Sequence, residues 1–243
     1  MSGVDAATAE TATAAASAAT AETAATVFLL SPARCSGERA ARLVRSKRSE
    51  LGRRLRAGEA SIGEIFAWLS ALYFRGKLTY ALRFGSSTGG APGALVMAPG
   101  LGLRAPETRL SVPMFQAMGE VDVESDAFVR PLLGDARLLA RLLDRAAGGT
   151  TGGAAGGTAG GAAGGAARVV LLGSIATGKY ISTLLDVFGE RLLFPATFVG
   201  RGDMSRGGLL LRAARSGEEL AYRPVAGATL RGARPPKLPR IYP

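Results

Sequence analysis

Val169-Val-Leu-Leu172-Gly173-Ser-Ile-Ala-Thr-Gly178-Lys179-Tyr180 carries the reading of the fold. It is a short unbroken apolar run, a glycine turn, and then Ile181 to Gly189 as a helix. An apolar run of that length without alternation suits a strand buried on both faces, the habit of parallel sheets. Three other segments share the form. Val27-Phe-Leu-Leu30 ends in Ser31-Pro32, Ala94-Leu-Val-Met-Ala98 in Pro99-Gly100, and Leu192-Leu-Phe194 in Pro195.

Helical patterns lie between these runs. Gly37 to Arg56 reads as one basic helix with a thin apolar face. Ser61 opens a second, with Glu64 three residues on in capping-box spacing and Ile62, Ile65, Phe66, Leu69, Leu72 and Tyr73 at helical period. Gly76 reads as a break, with Lys77 to Phe84 either a continuation or a separate turn. Pro131 to Ala147 is amphipathic, with its leucines on one side. Leu209 to Arg215 is a further helix, and Leu220-Ala-Tyr-Arg223 a last strand. The alternation predicts an α/β fold, a three-layer sandwich with a mostly parallel central sheet of about four to five strands.

Residues 1–26 are almost only Ala, Thr, Ser and Glu, and residues 146–167 are Gly, Ala and Thr with no large side chain. The first reads as a disordered tail and the second as a flexible insertion. Residues 27–230 then form a single domain. Residues 231–243, with Arg234-Pro-Pro-Lys-Leu-Pro-Arg240, read as an extended basic tail.

The formal net charge is +11 over 243 residues, and two clusters carry most of it. One spans Arg34 to Arg56 and the other Arg201 to Arg240. Basic surfaces of this kind attract phosphate, and DNA or RNA is a natural partner. The chain has no histidine and a single cysteine, Cys35. That excludes a Ser-His-Asp mechanism, a His-based metal site, an intramolecular disulfide and CxxC chemistry. No cofactor is expected. The N-terminus lacks a basic region before an apolar core, and no stretch is long enough to span a bilayer, so a cytoplasmic protein without membrane attachment is expected.

In parallel sheets ligands bind beyond the carboxyl ends of the strands, where the loops after Leu30, Ala98, Leu172 and Phe194 should converge. Gly173 to Lys179 matches GxxxxGK, but Tyr180 replaces the hydroxyl that holds magnesium and no acidic strand end follows, which argues against a nucleoside triphosphatase. The loop reads instead as an anion site built from Ser174, Thr177 and Lys179 at a helix start, with Tyr180 offering a hydroxyl or a ring face. Gly100-Leu-Gly102-Leu-Arg-Ala105 lacks the helix and acidic residue of a dinucleotide fingerprint.

Gly200-Arg-Gly-Asp-Met-Ser-Arg-Gly-Gly208 opens the helix at Leu209. Arg201 and Arg206 read as clamps on an anion, with Ser205 and Gly207 beside it and Asp203 as the candidate catalytic or ligand-bonding carboxylate. Tyr73-Phe-Arg75-Gly-Lys77 either stacks on a base or is a helix end with rings in the core and cations in water. Arg45, Lys47, Arg48, Arg53 and Arg54 form a surface for non-specific nucleic-acid contact.

Val27-Phe-Leu-Leu-Ser31-Pro32-Ala33, Gly100 to Glu107, Leu172 to Tyr180, and Phe194-Pro195 leading to Gly202-Asp-Met-Ser-Arg-Gly-Gly208 together resemble an uncharacterised bacterial family. More distantly their order resembles the YaaA-like proteins, whose first strand ends in a similar Ser-Pro-Ala. That resemblance implies a fold related to uracil-DNA glycosylases and a connection to DNA or nucleobases. The chain departs from glycosylases in lacking a histidine. The expected function is binding of nucleic acid or a nucleotide-like anion at the carboxyl edge of the sheet. Two alternatives stay open: an enzyme acting at a glycosidic or phosphoryl bond of a small nucleotide through Asp203, and a protein that meets an acidic partner protein.

Overall fold

The computed structural model describes residues 25–148, 167–175, 180–229 and 232–238. Four parallel strands form its centre: β1 (Thr26–Leu30), β3 (Ala94–Ala98), β6 (Arg168–Leu172) and β7 (Leu192–Pro195). β4 (Gly102–Arg104) runs antiparallel along β3, and β8 (Tyr222–Pro224) antiparallel along β7. The six-stranded order is β4-β3-β1-β6-β7-β8. Every residue of β1 and β3 is buried, as the unbroken apolar runs require. A separate two-stranded pair joins β2 (Ala60–Ser61) to β5 (Arg109–Leu110).

The helices are α1 (Glu38–Arg45), α2 (Glu50–Arg56), α3 (Ile62–Phe84), α4 (Val112–Glu120), α5 (Asp126–Gly148), α6 (Ile181–Phe188) and α7 (Asp203–Ser216). α3 packs on β1 and β3 and against α7, whereas α5 packs on β4 and against α6. The chain leaves β1 toward β3 on one side and leaves β6 toward β7 on the other. Crossovers of one hand running in opposite directions put their helices on opposite faces of the sheet. The result is a three-layer α/β sandwich.

Several boundaries differ from those expected. The basic segment is two helices, because Ser46 accepts from Ser49 N–H at 3.1 Å and Ser49 caps α2 by accepting from Gly52 N–H at 3.2 Å. Ser61 caps α3 in a full capping box with Glu64, a feature worth about 1 kcal/mol. Gly76 does not break α3; the non-helical residue is Ala71, at φ 45° and ψ −120°. α5 starts at Asp126 and carries Pro131 inside it. α7 starts at Asp203, so Gly207 and Gly208 are helical.

One close approach explains the two unexpected helical glycines. A Cβ on Gly76 would lie 2.6 Å from the Gly207 carbonyl oxygen, and one on Gly207 would lie 2.7 Å from that of Leu72. The backbones of α3 and α7 touch there, and only hydrogen side chains permit it. Further along α3, Tyr80 meets Phe28 edge to face at 5.5 Å and bonds the Tyr222 hydroxyl at 2.6 Å and Leu220 N–H at 2.7 Å. That anchors β8 at the sheet edge.

Candidate functional site

Because β1 and β6 are neighbours whose chains depart in opposite directions, the crevice beyond their carboxyl ends is the switch point of the sheet. Ser31 follows β1 there and is buried. Lys77, only 1 % exposed, reaches it from α3: its ammonium donates to the Ser31 carbonyl at 2.6 Å and to Ser31 Oγ at 2.9 Å. The rings of Tyr73 and Phe74 flank the nitrogen at 4.6 and 4.8 Å. Burial pushes the Lys77 pKa down to about 7, against the pull of the Asp203 carboxylate.

Tyr180 precedes α6 and is also buried. A Cβ on Gly173 would stand 2.8 Å from its hydroxyl and 2.9 Å from Ser31 Cβ. Glycine is therefore required at the end of β6 for Ser31 and Tyr180 to close over it. Burial raises the Tyr180 pKa, opposed by hydrogen bonds from Ser31 and the Ser174 backbone and by the charge of Arg206. Ser174 is half-buried beside them. Thr177 and Lys179 lie outside the described residues.

The α7 segment approaches from the other side. Arg206 lies largely within the protein, donating to the Phe198 carbonyl at 3.3 Å with its guanidinium 5.5 Å over the Phe198 ring, and Asp203 stands 3.6 Å from it. The Arg206 and Asp203 charges act on both Tyr73 and Tyr180. Thus Tyr180, just before α6, and Arg206, in the first turns of α7, face one region. Burial raises the Tyr73 pKa, opposed by the Arg206 guanidinium, and its hydroxyl makes no hydrogen bond among the described residues. Gly207 is the helix contact described above.

Arg201 turns the other way. It donates to the Thr197 carbonyl at 3.1 Å, to Ser205 Oγ at 3.1 Å and to the Pro236 carbonyl at 3.3 Å. Between the start of α7 and the extended segment 232–238 is a cleft of about 570 Å³; among the described residues Arg201, Arg212, Arg234 and Lys237 stand on its walls with Asp203 as the one carboxylate. Asp203 itself is exposed.

On the basic helices, Arg45 pairs with Glu38 at 3.2 Å, Arg53 with Glu50, and Arg54 with Glu64. Lys47 and Arg48 are exposed on the connection between α1 and α2. The pairing leaves that surface less positive than its sequence suggests.

The sequence places Ser31 only at a strand end that converges on the site, and Lys77 reads there with Arg75 as a cation touching a base or standing in water; Lys77 is instead buried against Tyr73 and Phe74. The signal was present: Phe66, Tyr73, Tyr80 and Phe84 repeat at helical spacing, and Lys77 falls on that stripe rather than on the polar side. A cation at a core position is rare and marks a special environment. Among the described residues no cluster of three or more His, Cys, Asp or Glu side chains is placed to hold a metal ion, and no helix is long and apolar enough to cross a membrane. Compared with protein-family models, curated proteins and solved structures, the chain matches none.

Proposed function

We propose that the protein binds a phosphate-bearing ligand, nucleic acid or a nucleotide-like anion, at the carboxyl edge of its sheet. The observation that carries this reading is the cleft beside α7, where four cationic side chains face one carboxylate. Arginine suits such a wall because its fork of donors matches phosphate oxygens. The cleft opens at the first turn of α7, whose free N–H groups also favour an anion. Lys47 and Arg48, exposed on the α1–α2 connection, add phosphate contacts outside it. The resemblance to YaaA-like proteins points to the same ligand class.

The cleft is large enough for a single nucleotide, so length of ligand is what an experiment must decide. Fluorescence anisotropy with a labelled single-stranded oligonucleotide should show binding that weakens with salt. Four neutralised phosphates give a log–log slope of about −3. Absence of binding at low salt, together with no thermal stabilisation by any mononucleotide, overturns the reading.

A further inference from the structure

An ammonium buried without a carboxylate in bonding contact is costly, and proteins keep one where it has a task. Lys77 is such a group. Its hydrogen-bond acceptors are both atoms of Ser31, and its ring neighbours Tyr73 and Phe74 hold the side chain from α3. We propose that Ser31 is a nucleophile whose proton is taken by Lys77, in a centre at the switch point that performs acyl transfer on an ester or amide.

The geometry meets what such a pair requires. Nucleophile and base are within hydrogen-bond reach at 2.9 Å. The base is oriented by a third group, the Ser31 carbonyl at 2.6 Å. The serine stands at the carboxyl end of β1, beside the point where the chain departs in two directions. A buried donor is left over, the Tyr73 hydroxyl, without a partner among the described residues. Its ring lies 4.6 Å from the Lys77 nitrogen, and with Arg206, whose charge acts on Tyr73 and Tyr180, it is the donor we assign to a developing oxyanion. A Lys77 pKa of about 7 leaves a large neutral fraction at physiological pH, as a general base needs.

The step balances without a co-reactant other than water. The Ser31 Oγ–carbon bond forms, the carbonyl electron pair moves onto its oxygen, and the serine proton passes to the neutral Lys77 amine. The carbonyl re-forms as the bond to the leaving oxygen or nitrogen breaks, and that atom takes the proton from the Lys77 ammonium. Water then attacks the acyl-serine, losing its proton to Lys77, which returns it to Ser31 Oγ. Two titratable groups among the described residues touch this hydroxyl, Lys77 and Tyr180, and Lys77 is the base because burial raises the Tyr180 pKa and keeps its phenol protonated.

The test is an uncharged alkyl fluorophosphonate on the full-length protein, with the modified residue mapped by peptide mass spectrometry. The Ser31 Oγ–phosphorus bond forms, fluoride leaves with the phosphorus–fluorine electron pair, and the serine proton goes to Lys77. One adduct is expected on Ser31, its rate rising about tenfold between about pH 6 and about pH 8 as Lys77 loses its proton. Among the described residues Tyr73 on its own helix packs on Lys77 and the Asp203 carboxylate on α7 acts on it, while Tyr180 bonds Ser31 and the Arg206 charge acts on both tyrosines. Lys77→Met should abolish the adduct. Folded wild-type protein that carries no adduct on Ser31 at the higher pH overturns the proposal and leaves Lys77 a structural cap on β1. So does an adduct rate unchanged in folded Lys77→Met; if that variant fails to fold, the wild-type mapping and its pH profile decide. Because the probe is uncharged, the outcome does not depend on the anion cleft.

Discussion

The Lys77 ammonium bonds Ser31 Oγ at 2.9 Å across 46 residues of sequence, tying the middle of α3 to the end of the central strand β1. Both partners are buried. The bond therefore couples stability to the protonation of one amine.

In the unfolded chain Lys77 holds its proton up to its ordinary pKa near 10.5, whereas in the fold it releases it near 7. Between those values the unfolded state binds more protons, so stability rises with pH; below about 7 both states are protonated and this contribution is flat. Lys77→Met removes the effect. Urea melts of the two proteins from pH 6 to pH 9 should diverge, wild type gaining on the order of 3 kcal/mol relative to the variant. Parallel curves would show that the amine is not held near neutrality.

Gly207→Ala tests the contact between α3 and α7. The new methyl would sit 2.7 Å from the Leu72 carbonyl oxygen and 2.8 Å from Tyr73 Cα, both backbone atoms that cannot swing aside. Overpacking of this kind costs about 1–3 kcal/mol. A chemical denaturation midpoint equal to that of the wild type would mean the helices are free to separate.

Glu64 gathers three partners: the Arg54 guanidinium, Ser61 N–H at 2.9 Å and the Ser61 hydroxyl at 3.0 Å. The Arg54 bond first, then the Ser61 backbone bond, lower its pKa from 4.5 to about 2. A depressed carboxylate pKa stabilises the fold above about 4.5, and the gain is lost as pH falls toward 2. Solvent screens this half-exposed pair, so the cap is the larger part. Ser61→Ala should cost about 1 kcal/mol at neutral pH. Glu64→Gln should be less stable than wild type at pH 6 and approach it at pH 3 by circular dichroism melts; a constant gap contradicts the assignment.

The parallel strands were legible because a strand buried on both faces has to be apolar at every position, as Val27 to Leu30 and Val169 to Leu172 are. The cap at Ser61 was legible because its partner is three residues away. Gly76 and Gly207 were not, since a glycine reads alike whether it breaks a helix or lets two helices touch; only the partner backbone decides. For the same reason α7 starts at Asp203, earlier than its apolar residues suggest. Lys77 reads as a cation on a base or in water because lysine is ordinarily a solvated residue, and its burial is set by Ser31 and by α7, both remote in sequence. The candidate residues around Arg201 and Arg206 were found by type, but sequence did not separate Arg206, packed on Phe198, from Arg201, folded onto its own loop and the 232–238 segment.

The cleft itself is tested most directly by charge reversal on its exposed wall. Arg234 and Lys237 lie on an extended segment outside helices and strands, so Arg234→Glu with Lys237→Glu should leave the fold intact. Anisotropy with a labelled oligonucleotide at about 50 mM salt should show affinity falling at least about tenfold, with a shallower salt dependence. Unchanged affinity in a variant with an unchanged melting curve would contradict the cleft as the binding site.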